Sequence, residues 1–92
     1  MPVRWNIVID PDAAREIDDL DGPVNRRVWK FLKERVASYD DPRCNGEALK
    51  GTKLGDLWRY RVGDYRVFVR IQDQSALIFV AAVLHRSIAY RH

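Results

Sequence analysis

Four arginines, Arg59, Arg61, Arg66 and Arg70, fall within two short alternating runs, and a fifth, Arg86, stands four residues before Tyr90. A guanidinium meets phosphate through two parallel hydrogen bonds and stays charged at any physiological pH. Together with a tyrosine and the neighbouring His85, such groups have the means to cleave RNA without a metal. A 2′-hydroxyl attacks the adjacent phosphorus, the arginines hold the added negative charge, and a proton donor protects the leaving oxygen. Proton transfer is the weak step, because arginine keeps its proton and an unperturbed tyrosine has a pKa of about 10. Structural roles are also open: Tyr90 as an anchor for the tail, His85 as a surface residue at a strand end. His85 and His92 are the only histidines and Cys44 the only cysteine, so neither a metal-ligand cluster nor a cofactor motif is read in the chain.

The spacing of the arginines says how they should be held. Trp58, Tyr60 and Val62 alternate with Leu57, Arg59 and Arg61, and after Gly63-Asp64 the alternation resumes from Tyr65 to Ile71. Gly-Asp suits a two-residue hairpin turn. That turn pairs Val62 with Tyr65, Arg61 with Arg66, Tyr60 with Val67, Arg59 with Phe68 and Leu57 with Arg70. Paired residues share a face, so Arg59, Arg61, Arg66 and Arg70 crowd one side of the sheet while the aromatic and aliphatic residues fill the other. Like charges directly opposite one another destabilise a hairpin, so this face asks for an anion. Carboxylates such as Glu47 or Asp56 would serve structurally, and phosphate oxygens would serve functionally.

The rest of the chain supplies the scaffold. Ninety-two residues suit one domain, 1–92. Val3 to Ile9 alternate as a first strand, and Asp10-Pro11 starts a short helix with Ala13, Ile17 and Leu20 on its apolar side. Asp21-Gly22-Pro23 breaks it, and a second helix follows over about 23–39, with Val24, Val28, Phe31, Leu32, Val36 and Tyr39 buried. Its Arg26, Arg27, Lys30, Lys33 and Arg35 form a basic face, either plainly solvated or, through Arg26, Arg27, Lys30 and Lys33, facing RNA or the ribosome. Residues 40–56 read as a loop, in which Lys50 and Lys53 are within reach of a phosphate. Ala76 to Leu84 is apolar throughout, as expected of a strand buried on both sides in mid-sheet. The expected class is α+β: an N-terminal strand, a two-helix hairpin, then a three-stranded antiparallel meander completing a four-stranded sheet.

Charge is distributed unevenly. Residues 1–56 carry ten basic and eleven acidic side chains, whereas 57–92 carry six arginines, two aspartates and no lysine. The excess of positive charge is therefore all arginine and all C-terminal, which points to an anionic partner, with nucleic acid the physical expectation. No secretory signal and no span of the roughly 20 apolar residues that a membrane helix needs are read in it, and a lone cysteine suits a reducing cytoplasm.

Leu57 to Val67 resembles the hairpin signature of RelE-like toxins, and His85-Arg86-Ser87-Ile88-Ala89-Tyr90-Arg91 resembles the C-terminal motif of the same RelE/ParE superfamily. The order of elements agrees over essentially the whole chain. The resemblance implies the toxin of a type II toxin–antitoxin system, a ribosome-dependent endoribonuclease that cuts mRNA in the A site and leaves a cyclic phosphate. It implies Arg66 at the scissile phosphate, Arg86 stabilising phosphate or leaving group, Tyr90 near the reacting nucleotide, and Arg61 as a further basic residue. Arg59 and Leu57 stand where well-known members have lysines, one of them a proposed base; His85, His92 or Glu47 are the candidates to move the proton instead. A cognate antitoxin is implied, expected to lay an acidic segment on the arginine face, with operator DNA reached only through that complex. The ParE branch shares the fold but inhibits DNA gyrase without being an enzyme. Arg66, Arg86 and Tyr90 together favour the ribonuclease.

Overall fold

In a computed structural model, residues 5–36, 42–49 and 57–89 are described. Strand β1 (Asn6–Ile9) leads into helix α1 (Pro11–Asp18), where Asp10 Oδ1 accepts a hydrogen bond from Asp12 N at 2.9 Å and Pro11 occupies the first turn. This is the expected N-terminal cap, which satisfies a backbone donor the helix cannot. Helix α2 (Gly22–Lys30) is tied to α1 through Asn25 Nδ2, which donates to the Ile17 carbonyl at 2.8 Å. It continues as a π-helical turn, Phe31–Arg35. Of the predicted helical stripe, Val28, Leu32 and Val36 are fully buried, while Val24 and Phe31 are half-buried. Val3 and Tyr39, expected in the first strand and second helix, lie outside the described residues.

Among the described residues the sheet has five strands, not the four expected, in the order β1-β5-β4-β3-β2. The additional one is β2 (Glu47–Ala48), antiparallel to β3 (Leu57–Val62), within the stretch read as loop. Two residues are too few to set up a period, and the glycines and proline around them read as turn. A 3-10 turn, Pro42–Asn45, leads into β2 and is anchored twice. The buried Tyr60 hydroxyl donates to the Pro42 carbonyl, and Arg43 forms a bidentate pair with Asp73 at 2.8 and 2.6 Å.

Strands β3 and β4 (Tyr65–Gln72) pair in the register expected, Arg61 opposite Arg66 and Leu57 opposite Arg70. Gly63 has φ +59° and no other turn residue here is left-handed, the geometry of a turn with glycine at its first central position. Strand β5 (Leu77–His85) lies between β4 and a parallel β1, and then α3 (Arg86–Ala89) begins. The expectation that β5 is buried on both sides is corrected. Ile78, Val80 and Val83 are buried in one core with residues of α1 and the second helix, while Phe79, Ala82 and Leu84 are half-buried on the face that carries the arginines. Apolar composition on both faces did not reveal that helices cover only one. No helix of the described residues is long and apolar enough to cross a membrane.

Candidate functional site

The pleat delivers the arginines to a common face, opposite the buried Tyr60, Val62, Val67 and Val69. Their fates there differ. Arg66 is only 6% exposed, unusual for a charged residue. Its Nη1 donates to the carbonyls of Gly63 at 3.0 Å and Tyr65 at 2.9 Å, so the hairpin turn itself holds the guanidinium. Arg59 Nη2 lies 2.5 Å from Glu47 Oε2, and Arg61 Nη2 lies 3.6 Å from Glu47 Oε1. Of the two acids the sequence offered as relief for the crowded face, Glu47 takes that position by virtue of β2, which sets it opposite Arg59. Asp56 lies outside the described residues.

The hydrogen bond and charge of Arg59 hold the Glu47 carboxyl below its ordinary range, with Arg61 and Arg66 adding to the effect. A carboxylate stabilised in this way is a weak base, and its position between two guanidiniums makes it a clamp. The linkage has a definite sign. A depressed carboxyl stabilises the fold above the unfolded pKa of about 4.3, and that contribution fades as pH falls through the folded value. Melts of Glu47→Gln against the parent should therefore show a deficit at pH 7 that is smaller at pH 3. An equal gap at both pH values would mean that the clamp is not electrostatic.

Arg86 and His85 are held by different contacts. The Arg86 amide donates to the Asp64 carbonyl at 2.7 Å, and Arg86 Nε is 3.9 Å from Asp64 Oδ1, so the same turn positions both Arg66 and Arg86. The Arg86 side chain is exposed. His85 pairs with Tyr65 and meets its ring edge-on at 5.3 Å, while Arg66 pairs with Leu84. The imidazole thus belongs to the face opposite Arg66, and the structure does not bring the two together. Its Nδ1 accepts from Ser87 N at 3.2 Å, which in the neutral ring assigns the proton to Nε2. Tyr90, His92, Lys50 and Lys53 lie outside the described residues.

The basic residues grouped on α2 diverge. Arg27 lies against the hairpin turn, where a Cβ on Gly63 would come within 2.9 Å of its Nη1. Arg26 folds back toward Gly22. Lys33 sits 5.4 Å from the Trp29 ring centre, beside a cavity lined by Trp5, Ile7 and Ile9. Phe31, expected in the buried stripe, and Arg35, expected on the basic face, join Arg27, Lys30, Arg61 and Val62 around a cleft of about 280 Å³ that the sequence did not indicate. Their spacing of four along a helix was the available signal. Among the described residues, no group of three or more His, Cys, Asp or Glu side chains is placed to hold a metal ion.

Residues 7–90 match the family described as the ParE toxin of the type II toxin–antitoxin system parDE. No curated protein sequence matches the chain. Among solved structures, the chain is similar to one from the RelBE2 toxin–antitoxin complex of Mycobacterium tuberculosis, with TM-score 0.82, 23% identity, and 95% of this chain and 97% of that one covered. An archaeal RelE–RelB complex from Pyrococcus horikoshii gives TM-score 0.74 at 25% identity, covering 90% and 96%. A free arginine-to-alanine variant of the Escherichia coli toxin RelE gives 0.74 at 22%, covering 95% and 88%.

Proposed function

Because the chain belongs to the ParE toxin family of type II toxin–antitoxin systems, within the RelE/ParE superfamily, we propose that it is a toxin that cleaves mRNA on the ribosome. The observation that carries the reading is the buried Arg66, fixed by two backbone carbonyls on a face it shares with Arg59, Arg61 and Arg70. A donor held before the reaction begins stabilises developing charge without reorganising, which is the largest single contribution in most such sites. The 2′-oxygen forms a bond to phosphorus as the bond to the 5′-oxygen breaks, giving a cyclic phosphate. The 2′-proton leaves to a base or water and the 5′-oxygen takes one up. Arg66 holds the phosphoryl oxygens, Arg61 extends the positive field, and Arg86 and Tyr90 serve the leaving side.

Neither Glu47, clamped between arginines, nor His85, on the other face, is arranged as a strong base toward Arg66. Cleavage then depends on the ribosome to align the mRNA, an effect of orientation that supplies up to ~7–11 kcal/mol in favourable systems. The toxin works in the cytoplasm and is held inactive by a cognate antitoxin, as the RelE–RelB complexes among its structural neighbours suggest. A second reading, inhibition of DNA gyrase without catalysis, is favoured by the ParE description of the matching family. Expression of the chain alone should halt growth, with labelled amino-acid incorporation falling before labelled thymidine incorporation. The reverse order, with DNA breaks, would move the protein to the second reading.

A further inference from the structure

We infer that the cleft between the second helix and the edge of β3 binds a phosphodiester segment of single-stranded RNA. The inference rests on the ribonuclease reading above and extends the site beyond the scissile phosphate. Four cationic residues, Arg27, Lys30, Arg35 and Arg61, surround the cleft, with Phe31 and Val62 as its apolar walls and, among the described residues, no carboxylate in the lining. Its volume of about 280 Å³ is near the small end of ligand pockets, ~300 Å³. A basic groove with an aromatic surface is the combination that tracks a single strand, cations on the backbone and a ring against a base. The half-buried Phe31 is the ring available, held edge-on against Tyr60 at 5.5 Å.

Continuity with the arginine face argues for nucleic acid over an acidic peptide. β2 pairs only with Trp58 and Arg59, so among the described residues Tyr60 to Val62 have no strand beside them on that edge. Arg61, opposite Arg66 in the hairpin, is therefore able to line the cleft as well as the face. Arg27 reaches the cleft from the other side while lying against Gly63, whose carbonyl holds Arg66. A strand with its scissile phosphate at Arg66 passes Arg61, which also meets Glu47 at 3.6 Å, before it reaches the cleft. The π-helical turn that supplies Phe31 and Arg35 is a feature often found at functional sites.

The test uses a short fluorescent oligoribonucleotide and the purified toxin, with anisotropy measured across a range of salt. Arg27→Gln/Lys30→Gln should weaken binding about tenfold and make the plot of log affinity against log salt shallower by about 1.4, at ~0.7 for each lost contact. Arg15→Gln, which removes an exposed charge on α1, should change neither. In ribosome-programmed cleavage the double variant should raise KM and leave kcat unchanged, the signature of lost ground-state and transition-state binding alike. Affinity and salt slope equal to the parent's would overturn the inference. So would weakened binding of an acidic antitoxin peptide with RNA binding intact, which would assign the cleft to protein. Binding that follows the expected pattern in a toxin that cuts no RNA would instead refute the ribonuclease reading and leave the cleft standing.

Discussion

Arg66→Ala should lower the turnover of ribosome-programmed mRNA cleavage by about 10²–10³, the usual cost of removing a positioned transition-state donor, with KM little changed. The reason lies in how the guanidinium is held. Gly63 and Tyr65 present their carbonyls to Nη1, so its orientation is set before substrate arrives. Lysine keeps the charge but not the fork, and it is a flexible point donor. Arg66→Lys should therefore recover little of the lost rate, which separates geometry from charge. Both variants should still fold, since the core residues of β3 and β4 point the other way. Measuring kcat and KM for the two variants decides it. Full activity of Arg66→Lys would reduce Arg66 to one charge among several, and unchanged toxicity of Arg66→Ala would remove it from the site.

Tyr60→Ala should cost about 3–5 kcal/mol, the range for truncating a large buried aromatic. Against a total at the low end of the typical ~5–15 kcal/mol, where so small a domain belongs, that is enough to leave much of the protein unfolded near body temperature. Tyr60 is 1% exposed, packs edge-on against Phe31, and donates its hydroxyl to the Pro42 carbonyl. Tyr60→Phe retains the ring and removes the hydroxyl's bond to Pro42, about 0.5–1.5 kcal/mol. Its further consequence is local. Pro42 begins the turn that leads to β2, so loosening it should free Glu47 from Arg59 and Arg61. Urea titrations give the two stabilities, and a Tyr60→Ala loss below about 1 kcal/mol would contradict the packing described.

Much of the site's frame was readable from the residues. Alternation from Leu57 to Ile71 around Gly63-Asp64 set the register that placed Arg61 opposite Arg66, because a two-residue turn leaves no freedom in pairing. Asp10-Pro11 marked the start of α1 for an equally local reason. What escaped was decided at long range. Glu47 could be offered only as one of two acids, since nothing local fixes the path of residues 40–56. His85 was harder to place, because the register shift between Phe68 and Val69 breaks the period of two on β5. Burial there falls on Ile78 and Val80, then on Val83, so side-chain parity changes in mid-strand and His85 follows the core side. The cleft was likewise invisible, since it joins Arg27 and Arg35 of the second helix to Arg61 of a distant strand.

The central claim, that this toxin cuts mRNA on the ribosome, is tested most directly by mapping RNA ends. Purified toxin is added to ribosomes stalled on a defined mRNA, and the products are sequenced from their 5′ ends. The expected result is a new end within the A-site codon, a cyclic phosphate on the upstream fragment, and no cleavage when ribosomes are omitted. Intact mRNA under these conditions, with gyrase supercoiling blocked by the same preparation, would contradict it.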